Sequence, residues 1–336
     1  MVTGVAKNCP QNSSIKFQVL MPIKVSKQDE AGPAENLIIT EVAKPSVKPT
    51  EVLIKTKAFS INPIDTKTRK GKSLYNELKK ESDDIILGWD VSGIVEEVGS
   101  EVKDLKPGDE VFGMVNFPGN GKAYAEYVAA PASQLALKPA NIPHEAAAAA
   151  TLAALTAWQA LVTHGKLQKG EKVLIHAAAG GVGHYAVQIA KHLGAYVAGT
   201  SSAANKDFVL SLGADAHIDY KTQQPKDVVS DIDLVIDALG SNDVDPSLAV
   251  LKQDGRLITL PSITADNVIA KAKEKGVHAF FFMVHSNGDD MKQLAALLEK
   301  GVIKSHISQT FTIDEIAEAH RQVETGKTRG KIVITI

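Results

Sequence analysis

Residues 172–220 constrain the fold of this chain more than any other stretch. They open with a short apolar run at 173–175, flanked by polar residues and glycine, which is typical of a buried strand. A turn of small residues follows, then apolar residues recur at helical spacing over 182–193, and a second strand is predicted at 196–200. Strand, glycine turn, helix and strand form a βαβ unit, which offers a phosphate site at the N-terminus of its helix.

The turn of this unit carries the pattern Ala178-x-Gly180-x-x-Gly183, in which Ala178 replaces the first glycine of the full dinucleotide-binding fingerprint. The middle glycine lets the backbone approach a pyrophosphate, and the last lets the helix pack close to the strand. Glycines of an ordinary tight turn give the same pattern, but here it stands between a predicted strand and a predicted helix, as the mechanism requires. We therefore predict a dinucleotide bound at Ala179, Gly180, Gly181, Val182 and Gly183.

The end of the second strand indicates which dinucleotide binds. NAD-binding units usually place Asp or Glu about 20 residues after the glycine turn, to hold the ribose hydroxyls. Here that position holds Thr200, Ser201 and Ser202, with Lys206 soon after and Tyr220 beyond a third predicted strand at 216–219. Hydroxyls and a cation suit a 2′-phosphate, which an acid would repel, so we predict NADPH. The alternatives are helix capping for the two serines and a solvated face for Lys206.

Length, charge and cysteine content exclude several classes of protein. The 336 residues predict about two domains, and the formal charge of −2 gives no reason to expect nucleic acid or an anionic membrane as a partner. The one cysteine, Cys9, excludes an internal disulfide framework and a multi-cysteine zinc lobe. The N-terminus lacks a signal-peptide pattern, and no apolar run is long enough to cross a bilayer. We therefore expect a cytoplasmic location.

The first part of the chain is dense in short strands and turn signals, which predicts a β-rich domain. Residues 1–15 are polar without periodicity, and we expect a flexible extension there. A short helix is expected at 65–69, and the charged run at 79–84 is expected to be a solvated loop. Strands are predicted at residues 15–25, 37–42, 51–57, 91–99, 110–114 and 124–129.

The later part alternates strands with helices, which predicts an α/β fold with a doubly wound parallel sheet and right-handed crossovers. One or two helices are expected at 143–163, where the alanine run forms a close-packing face. Gly240 and Ser241 end the fourth strand, where the cofactor ribose or nicotinamide would pass. Further strands are predicted at 233–237, 255–260 and 278–283, helices at 244–252, 266–275, 289–300 and 314–325, and a last strand at 331–336 that returns to the first domain.

Six motifs span nearly the full chain: Asn62-Pro63-x-Asp65, Gly88-x-Asp90-x-x-Gly93-x-Val95, Gly108-Asp109-x-Val111-x-Gly113, Leu155-Thr156-Ala157-Trp158, residues 177–183, and Thr328-Arg329-Gly330-Lys331. Their order resembles the medium-chain dehydrogenase/reductase superfamily, and within it the zinc-independent quinone oxidoreductase and enone reductase group. The resemblance implies a GroES-like catalytic domain at 16–150 and 286–336, a Rossmann domain at 151–285, and a cleft between them. It also implies a homodimer, commonly paired through the edge strands of the Rossmann sheets, here residues 278–283.

The resemblance also bears on metal binding. Zinc-dependent relatives place a cysteine where Asn62 stands, a histidine where Trp89 stands and a further cysteine about where Leu152 stands. None of these side chains is a usual zinc ligand, and Asp90 alone is no site, so we predict no metal. Without a Lewis acid, alcohol–ketone chemistry loses its usual activation. The acceptor is therefore expected to take hydride readily, as a quinone or the β-carbon of an α,β-unsaturated ketone or aldehyde does.

Four further residues are expected to contact the cofactor. By resemblance, Thr156 packs near the nicotinamide, and Gly240, Phe281 and Lys331 complete the set. Phe281 belongs to an aromatic cluster at 280–283 in a sequence that is otherwise poor in aromatic residues. That cluster has two interpretations, a buried edge strand with dimer contacts or a contribution to the wall of the substrate cleft.

The proposed reaction needs a hydrogen-bond donor, because negative charge grows on the carbonyl oxygen as hydride arrives. Lys67 and Asn62 are predicted as catalytic donors by their position, and Tyr75 and Tyr124 are further candidates. Lys67 has the alternative of a solvated lysine or a phosphate contact, and Asn62 that of a turn or cap residue.

Two other functions stay open on the sequence alone. One is an NADPH-dependent alcohol or aldehyde reductase, against which the missing zinc ligands argue. The other is a non-catalytic NADPH-binding protein, because an intact phosphate loop fits a binder as well as an enzyme.

Overall fold

The computed structural model of the chain describes residues 22–240, 244–261 and 264–336. The predicted extension at 1–15, the first part of the strand predicted at 15–25, and Ser241 lie outside the described residues.

The predicted strands and helices occur in their expected order, and the structure adds strands at Ile85–Ile86, Ala136–Leu137 and Ile307–Thr312 and a helix at Lys206–Ser211 that were not predicted. The strands of the described residues are β1 (Pro22–Gln28), β2 (Leu37–Ala43), β3 (Glu51–Ile61), β4 (Ile85–Ile86), β5 (Asp90–Val98), β6 (Glu110–Met114), β7 (Tyr127–Pro131), β8 (Ala136–Leu137), β9 (Lys172–Ile175), β10 (Tyr196–Ser201), β11 (Ala216–Asp219), β12 (Ile232–Asp237), β13 (Leu251–Thr259), β14 (His278–Phe281), β15 (Ile307–Thr312) and β16 (Lys331–Thr335). The α-helices are α1 (Pro63–Arg69), α2 (Tyr75–Glu81), α3 (His144–Ala149), α4 (Leu152–Trp158), α5 (Gly183–His192), α6 (Lys206–Ser211), α7 (Asp245–Leu248), α8 (Ala265–Glu274), α9 (Gly288–Glu299) and α10 (Ile316–Glu324).

The strands form a β-rich lobe and a parallel sheet. In the first lobe, a seven-stranded sheet has the order β15-β16-β3-β5-β6-β8 with β7 beside β3, and a three-stranded sheet has the order β2-β1-β4. The second lobe has a six-stranded sheet in the order β11-β10-β9-β12-β13-β14, and every pair in it is parallel. This is the strand order of a doubly wound dinucleotide-binding fold. The predicted α/β class, with a GroES-like lobe and a Rossmann lobe, is confirmed.

The C-terminal tail closes the first lobe. Strand β16 runs antiparallel to β3, with Ile332 opposite Ile61, and β15 lies parallel to β16 on its other side. This pairing brings the start of β16 next to the end of β3, where α1 begins. The sequence limits predicted for the two domains, 16–150 with 286–336 and 151–285, remain a prediction.

Helices α3 and α4 connect the lobes as the alanine-rich stretch predicts. Residues 147–150 are fully buried, so the alanine run packs backbones closely, as expected. A π-helical turn at Gln159–His164 extends α4. None of the helices in the described part of the chain is long and apolar enough to cross a membrane.

Three predicted elements differ from the structure. The first half of the charged run at 79–84 is helical, since residues 79–81 end α2, where buried Leu78 holds the helix on the core while its lysines face solvent. The strand predicted at 124–129 begins at Tyr127, where pairing with β3 begins, because the backbone of Tyr124 bonds instead to Leu87 and Ser26. The helix predicted at 244–252 ends at Leu248, since β13 already starts at residue 251.

Candidate active site

In the glycine turn between β9 and α5, Gly183 packs too closely against the preceding backbone to carry a side chain. A Cβ added to Gly183 would stand 2.1 Å from the carbonyl oxygen of Ala177 and 2.7 Å from Cα of Ala178. No side chain fits at that distance, so the last glycine of the pattern permits the close approach of helix and strand. Ala177 itself adopts a positive φ of 52° to make the turn.

The other two glycines of the turn leave its backbone open. A Cβ on Gly180 would have its nearest neighbour at 3.2 Å, and one on Gly181 would lie 3.4 Å from Cδ of Lys331. These positions carry no bulk between the turn and a ligand, and the turn leads directly into the ten-residue helix α5. The start of a helix with exposed backbone is suited to phosphate groups, so the turn fits a dinucleotide pyrophosphate.

The loop after β10 holds the residues predicted to select NADPH. Lys206 is exposed at the start of α6, Tyr220 is 61% exposed and Ser202 is half-buried. Ser201 differs, because it is 6% exposed and its hydroxyl makes a 2.8 Å hydrogen bond with Nε2 of His217. The Ser201 hydroxyl is therefore engaged inside the protein, whereas the other three side chains face outward.

Arg329 is a cation at the same loop that the sequence analysis did not assign. Its Nε donates to Oδ1 of Asn205 at 2.8 Å, and its Nη2 donates to the Ala204 carbonyl at 3.2 Å. The guanidinium also lies over the Phe208 ring, 5.1 Å from the centroid. The next residue, Gly330, donates its backbone N–H to the Ala179 carbonyl of the glycine turn. Arg329 thus joins the C-terminal tail to the loop after β10, and Gly330 joins it to the glycine turn.

A cleft of about 620 Å³ lies between the two lobes. It sits at the carboxyl ends of β12, β13 and β14, which is where ligands bind in open α/β sheets. Val182 of the glycine turn and Thr156 of α4 both line it, so the predicted phosphate site and the cleft are continuous. Of the predicted residues, the cleft gathers Asn62, Lys67, Thr156, Val182 and Phe281; its other walls include Phe117, Leu152, Leu260, Phe282 and Val284.

A larger cavity of about 980 Å³ lies near β8 and α9, and none of the predicted site residues lines it. Its lining carries lysines and carboxylates in equal number among aliphatic residues. The chemistry predicted from the sequence therefore belongs to the smaller cleft.

Asn62 is held in a buried polar cluster at the cleft wall. It is 2% exposed, and its Nδ2 donates to Oδ2 of Asp90 at 2.7 Å. Its Oδ1 accepts a hydrogen bond from Nζ of Lys331, and its backbone N–H donates to Oδ2 of Asp65 at 2.6 Å. Asn62 is therefore the N-cap of α1, as the alternative interpretation has it, and its amide also joins three chain segments.

Lys331, predicted to contact the cofactor, has its ammonium group in the same buried polar cluster as Asn62. It is 3% exposed, and its Nζ donates to the Ile61 carbonyl at 3.0 Å as well as to Asn62, with Oδ2 of Asp90 3.9 Å away. Burial lowers the pKa of Lys331, and the carboxylates of Asp90 and Asp65 oppose that shift. Only its aliphatic stem approaches the glycine turn, at Gly181. The contact between Lys331 and the cofactor stays a prediction, in which the aliphatic stem lies beside the turn and the ammonium group bonds to Ile61 and Asn62.

The two tyrosines named as further donors are not among the residues that line the cleft. Tyr124 is fully buried, and its hydroxyl makes a 3.0 Å hydrogen bond with Nε2 of His320. Burial raises the pKa of Tyr124 well above its usual value and lowers that of His320 to about 3. Both groups are therefore neutral at physiological pH, and their role is to hold α10 against the first lobe.

Asp65 carries a perturbed charge behind the cleft. Burial raises the pKa of Asp65 to about 7; the Asn62 N–H opposes the rise, Asp90 adds to it and Lys331 opposes it. Asp65 is not among the cleft-lining residues; the shift reflects its burial on the inward face of α1.

Asp90 links Asn62 on the cleft wall to helix α4. Its Oδ1 accepts the backbone N–H of Leu152 at 2.9 Å, and its Oδ2 accepts the Ser60 hydroxyl and the Asn62 amide. Thr156 lies one turn further along α4, 6% exposed, with its hydroxyl donated to the Leu152 carbonyl. One buried carboxylate therefore sets the relative position of Asn62 and Thr156.

Gly240 lies near the far end of the cleft, after β12. Its φ is +68°, and its N–H donates to Oδ1 of Asp237 at 3.2 Å. Neighbouring Ala238 lines the cleft, as do Leu260 and Pro261 after β13. The chain thus passes close to the cleft at the place where the sequence predicts the ribose or nicotinamide.

Zinc does not fit the residues of this cleft. The Asn62 amide is bonded at both ends, Trp89 donates its indole N–H to the Gly119 carbonyl at 2.7 Å, and Leu152 has no ligand atom on its side chain. Over residues 22–240, 244–261 and 264–336, no three His, Cys, Asp or Glu side chains are grouped to hold a metal ion.

Two protein families match the chain. Residues 48–140 match the alcohol dehydrogenase GroES-like domain, and residues 212–334 match the zinc-binding dehydrogenase family. The second match concerns the sheet and the C-terminal tail, which include none of the three positions discussed for zinc.

Named relatives are similar over most of their length. The chain is 33% identical to 2-methylene-furan-3-one reductase of Solanum lycopersicum, over 95% of this chain and 86% of the relative. It is 35% identical to the chloroplastic NADPH-dependent alkenal/one oxidoreductase of Arabidopsis thaliana, over 88% of this chain and 74% of the relative. Among solved structures, the quinone oxidoreductase from Coxiella burnetii superposes with a TM-score of 0.89 at 36% identity, covering 94% of this chain and all of that one.

Proposed function

The chain belongs to the medium-chain dehydrogenase/reductase superfamily, in its zinc-independent quinone oxidoreductase group, and on that premise we propose that it is an NADPH-dependent reductase of quinones or α,β-unsaturated carbonyls. The relatives carry the names of an NADPH-dependent alkenal/one oxidoreductase, a furanone reductase and a quinone oxidoreductase. One observation on this chain carries the proposal. The glycine turn opens through Val182 into an apolar cleft whose polar groups include the Asn62 amide and no metal-ligand set.

The cofactor would lie along the carboxyl ends of the parallel strands. The turn at Ala179, Gly180, Gly181, Val182 and Gly183 would hold the pyrophosphate, because its backbone is open and leads into α5. When bound, the reduced nicotinamide supplies the hydride. Thr156, Gly240 and Phe281 would bound the pocket of that ring, since they lie on or next to the cleft wall.

The 2′-phosphate would bind at the loop after β10. Ser202, Lys206 and Tyr220 offer outward-facing donors, and Arg329 adds a guanidinium that the loop and Phe208 hold in place. A planar guanidinium suits bidentate contact with a phosphate. Ser201 would act by holding the loop through His217.

The cleft suits a small electrophile with an apolar body. Phe117, Leu152, Leu260, Phe282 and Val284 give it apolar walls. When hydride reaches the β-carbon of an enone, the electron pair of the C=C bond moves toward the carbonyl oxygen, and the enolate then takes a proton from solvent at its α-carbon. We propose that Asn62 or Lys67 donates a hydrogen bond to that oxygen, since both predicted catalytic residues line the cleft.

Product analysis tests this proposal against carbonyl reduction. With NADPH and 3-buten-2-one, the proposed reaction gives 2-butanone, in which the C=C bond is reduced. An alcohol or aldehyde reductase would give 3-buten-2-ol instead, and a non-catalytic binder would shift NADPH fluorescence without consuming it. Gas chromatography of the products, with quinone reduction followed separately, distinguishes these outcomes.

We also propose a homodimer and a cytoplasmic location. Strand β14 is at the end of the six-stranded sheet, so its free edge can pair with the same edge of a second copy. Met283, just beyond it, is 48% exposed, which suits burial in such an interface. Light scattering on the purified protein measures the oligomeric state, and fractionation of cells measures the location.

A further inference from the structure

The predicted residues leave two donors for the substrate oxygen, and the structure separates them. Lys67 is exposed on α1, whereas Asn62 is 2% exposed and yet lines the cleft. A donor that is already ordered and shielded from water stabilises developing charge more than a mobile solvated one, because it needs no reorganisation during the reaction. Asn62 therefore meets the requirement better, provided that its amide presents an N–H group to the cleft.

The partners of Asn62 fix the orientation of its amide. An asparagine amide has an oxygen that only accepts and a nitrogen that only donates, so its neighbours decide which way it points. The Asp90 carboxylate can only accept, so Nδ2 must face Asp90, and Oδ1 is then the atom that accepts from Lys331. The nitrogen carries two hydrogens, and Asp90 accepts one of them. The second N–H is not used in either contact, and Asn62 lines the cleft.

Lys331 and Asp90 are each held by further contacts with other chain segments. Lys331 starts β16, which pairs with β3, and it also donates to the Ile61 carbonyl at 3.0 Å. Asp90 accepts from Leu152 of α4 and from Ser60 of β3. The backbone N–H of Asn62 is bonded to Asp65, which fixes the Cα as well. The amide is therefore held at both ends and at its base.

We propose that Lys331 and Asp90 are positioning residues that lock the Asn62 amide with one N–H directed to the substrate carbonyl oxygen. This inference rests on the proposed function and assigns the donor within it. It also gives Lys331 a role other than cofactor contact, since its ammonium group is buried in this cluster. Asn62 is the catalytic residue of the three, because it alone touches substrate.

Kinetics of Asn62→Ala, Lys331→Met and the double variant test the assignment, with 3-buten-2-one as acceptor. Loss of one donor to a developing oxyanion lowers kcat by about 10²-fold. We expect each single variant to lose roughly that factor, and the double variant to lose no more than the worse single one, because both changes remove the same interaction. The Kd for NADPH, measured by fluorescence without acceptor, should stay within about twofold. Lys331→Arg should recover most of the rate, since a guanidinium can still donate to Oδ1.

Lys138→Met is the matched control for removal of a buried lysine. Lys138 pairs with Glu110 at 2.9 Å, its side chain is 4% exposed, and it does not line the cleft. Its loss should lower the melting temperature without changing kcat. If Lys331→Met fails to fold, Asn62→Ala decides, because it leaves Lys331 and Asp90 in place.

Three outcomes would overturn the assignment. Asn62→Ala with wild-type kcat removes Asn62 as the donor. Lys331→Met with a tenfold higher Kd for NADPH and normal kcat at saturation makes Lys331 a cofactor ligand. Additive losses in the double variant show that the two residues act separately. A wild-type protein that reduces neither an enone nor a quinone contradicts the proposed function itself, and this inference with it.

Discussion

Alanine at position 183 provides a strong test of the glycine turn. The added Cβ would stand 2.1 Å from the Ala177 oxygen, so the start of α5 must move by roughly 1 Å or more to restore ordinary contact. Overpacking of this kind costs about 1–3 kcal/mol, which lowers Tm by about 1–2 °C per kcal/mol in a chain of 336 residues. The same shift moves backbone N–H groups away from the phosphates. Loss of one hydrogen bond to a charged group is worth about 1.5–3 kcal/mol, or roughly a 10–100-fold rise in the Kd for NADPH.

Gly180→Ala is the matched control, because its Cβ would meet its nearest atom at 3.2 Å and its φ is not positive. At 3.2 Å the Ala177 carbonyl must give by only a few tenths of an ångström, so the melting temperature should fall less than in Gly183→Ala. Its methyl group nevertheless enters the space assigned to the pyrophosphate, so the NADPH affinity should fall. Circular dichroism without cofactor and fluorescence titration with NADPH measure the two effects separately. Wild-type Tm and wild-type Kd in Gly183→Ala would refute the packing argument, and wild-type Kd in Gly180→Ala would refute the phosphate placement.

Three further predictions concern charge. Arg329→Met should reduce the preference for NADPH over NADH in kcat/KM by about 10–100-fold. The control Lys327→Met changes an exposed lysine and should leave that preference unchanged. A wild-type preference in Arg329→Met would contradict a contact between Arg329 and the 2′-phosphate. Lys67→Ala should lower kcat/KM for the acceptor less than tenfold, because this ammonium is exposed to solvent. The effect should be smaller still in high salt, which screens the charge. A loss as large as that of Asn62→Ala would contradict a secondary role for Lys67. Native Asp65 keeps its proton to about pH 7 while the unfolded carboxyl loses it near the usual 3.8. As the pH rises between those values, the free energy of unfolding of the wild type should therefore fall relative to that of Asp65→Asn, by up to about 1.4 kcal/mol per pH unit. A difference in urea midpoint between the two proteins that stays the same at pH 5, 6 and 7 would contradict this.

The backbone of the cofactor site was predictable because its signals are local. A strand, a turn of small residues and a helix within about twenty residues specify the βαβ unit, and Gly183 sits where only glycine fits. The missing acid after β10 is likewise visible in the sequence and predicts NADPH. The helix at Tyr75–Glu81 also left a local signal, since Leu74 and Leu78 have helical spacing, but the charged residues around them suggested a loop.

The polar cluster at the cleft was not predictable, because its members are far apart in the sequence. Asn62 and Lys331 are 269 residues apart, and they meet only when β16 pairs with β3. No pattern around Lys331 shows whether its ammonium group faces the cofactor or the interior. Arg329 was missed for the same reason, since its partner Asn205 lies 124 residues earlier. Charged side chains that act between distant segments need the tertiary structure to be assigned.

NADPH oxidation by the purified protein, with NADH in parallel and with 3-buten-2-one and a simple quinone as acceptors, tests the central claim most directly. We predict that NADPH is consumed much faster than NADH, and that at least one of the two acceptors is reduced. Tight binding of NADPH without reduction of either acceptor would contradict the proposed function. Faster consumption of NADH would contradict the assignment of Ser202, Lys206, Tyr220 and Arg329 to the 2′-phosphate.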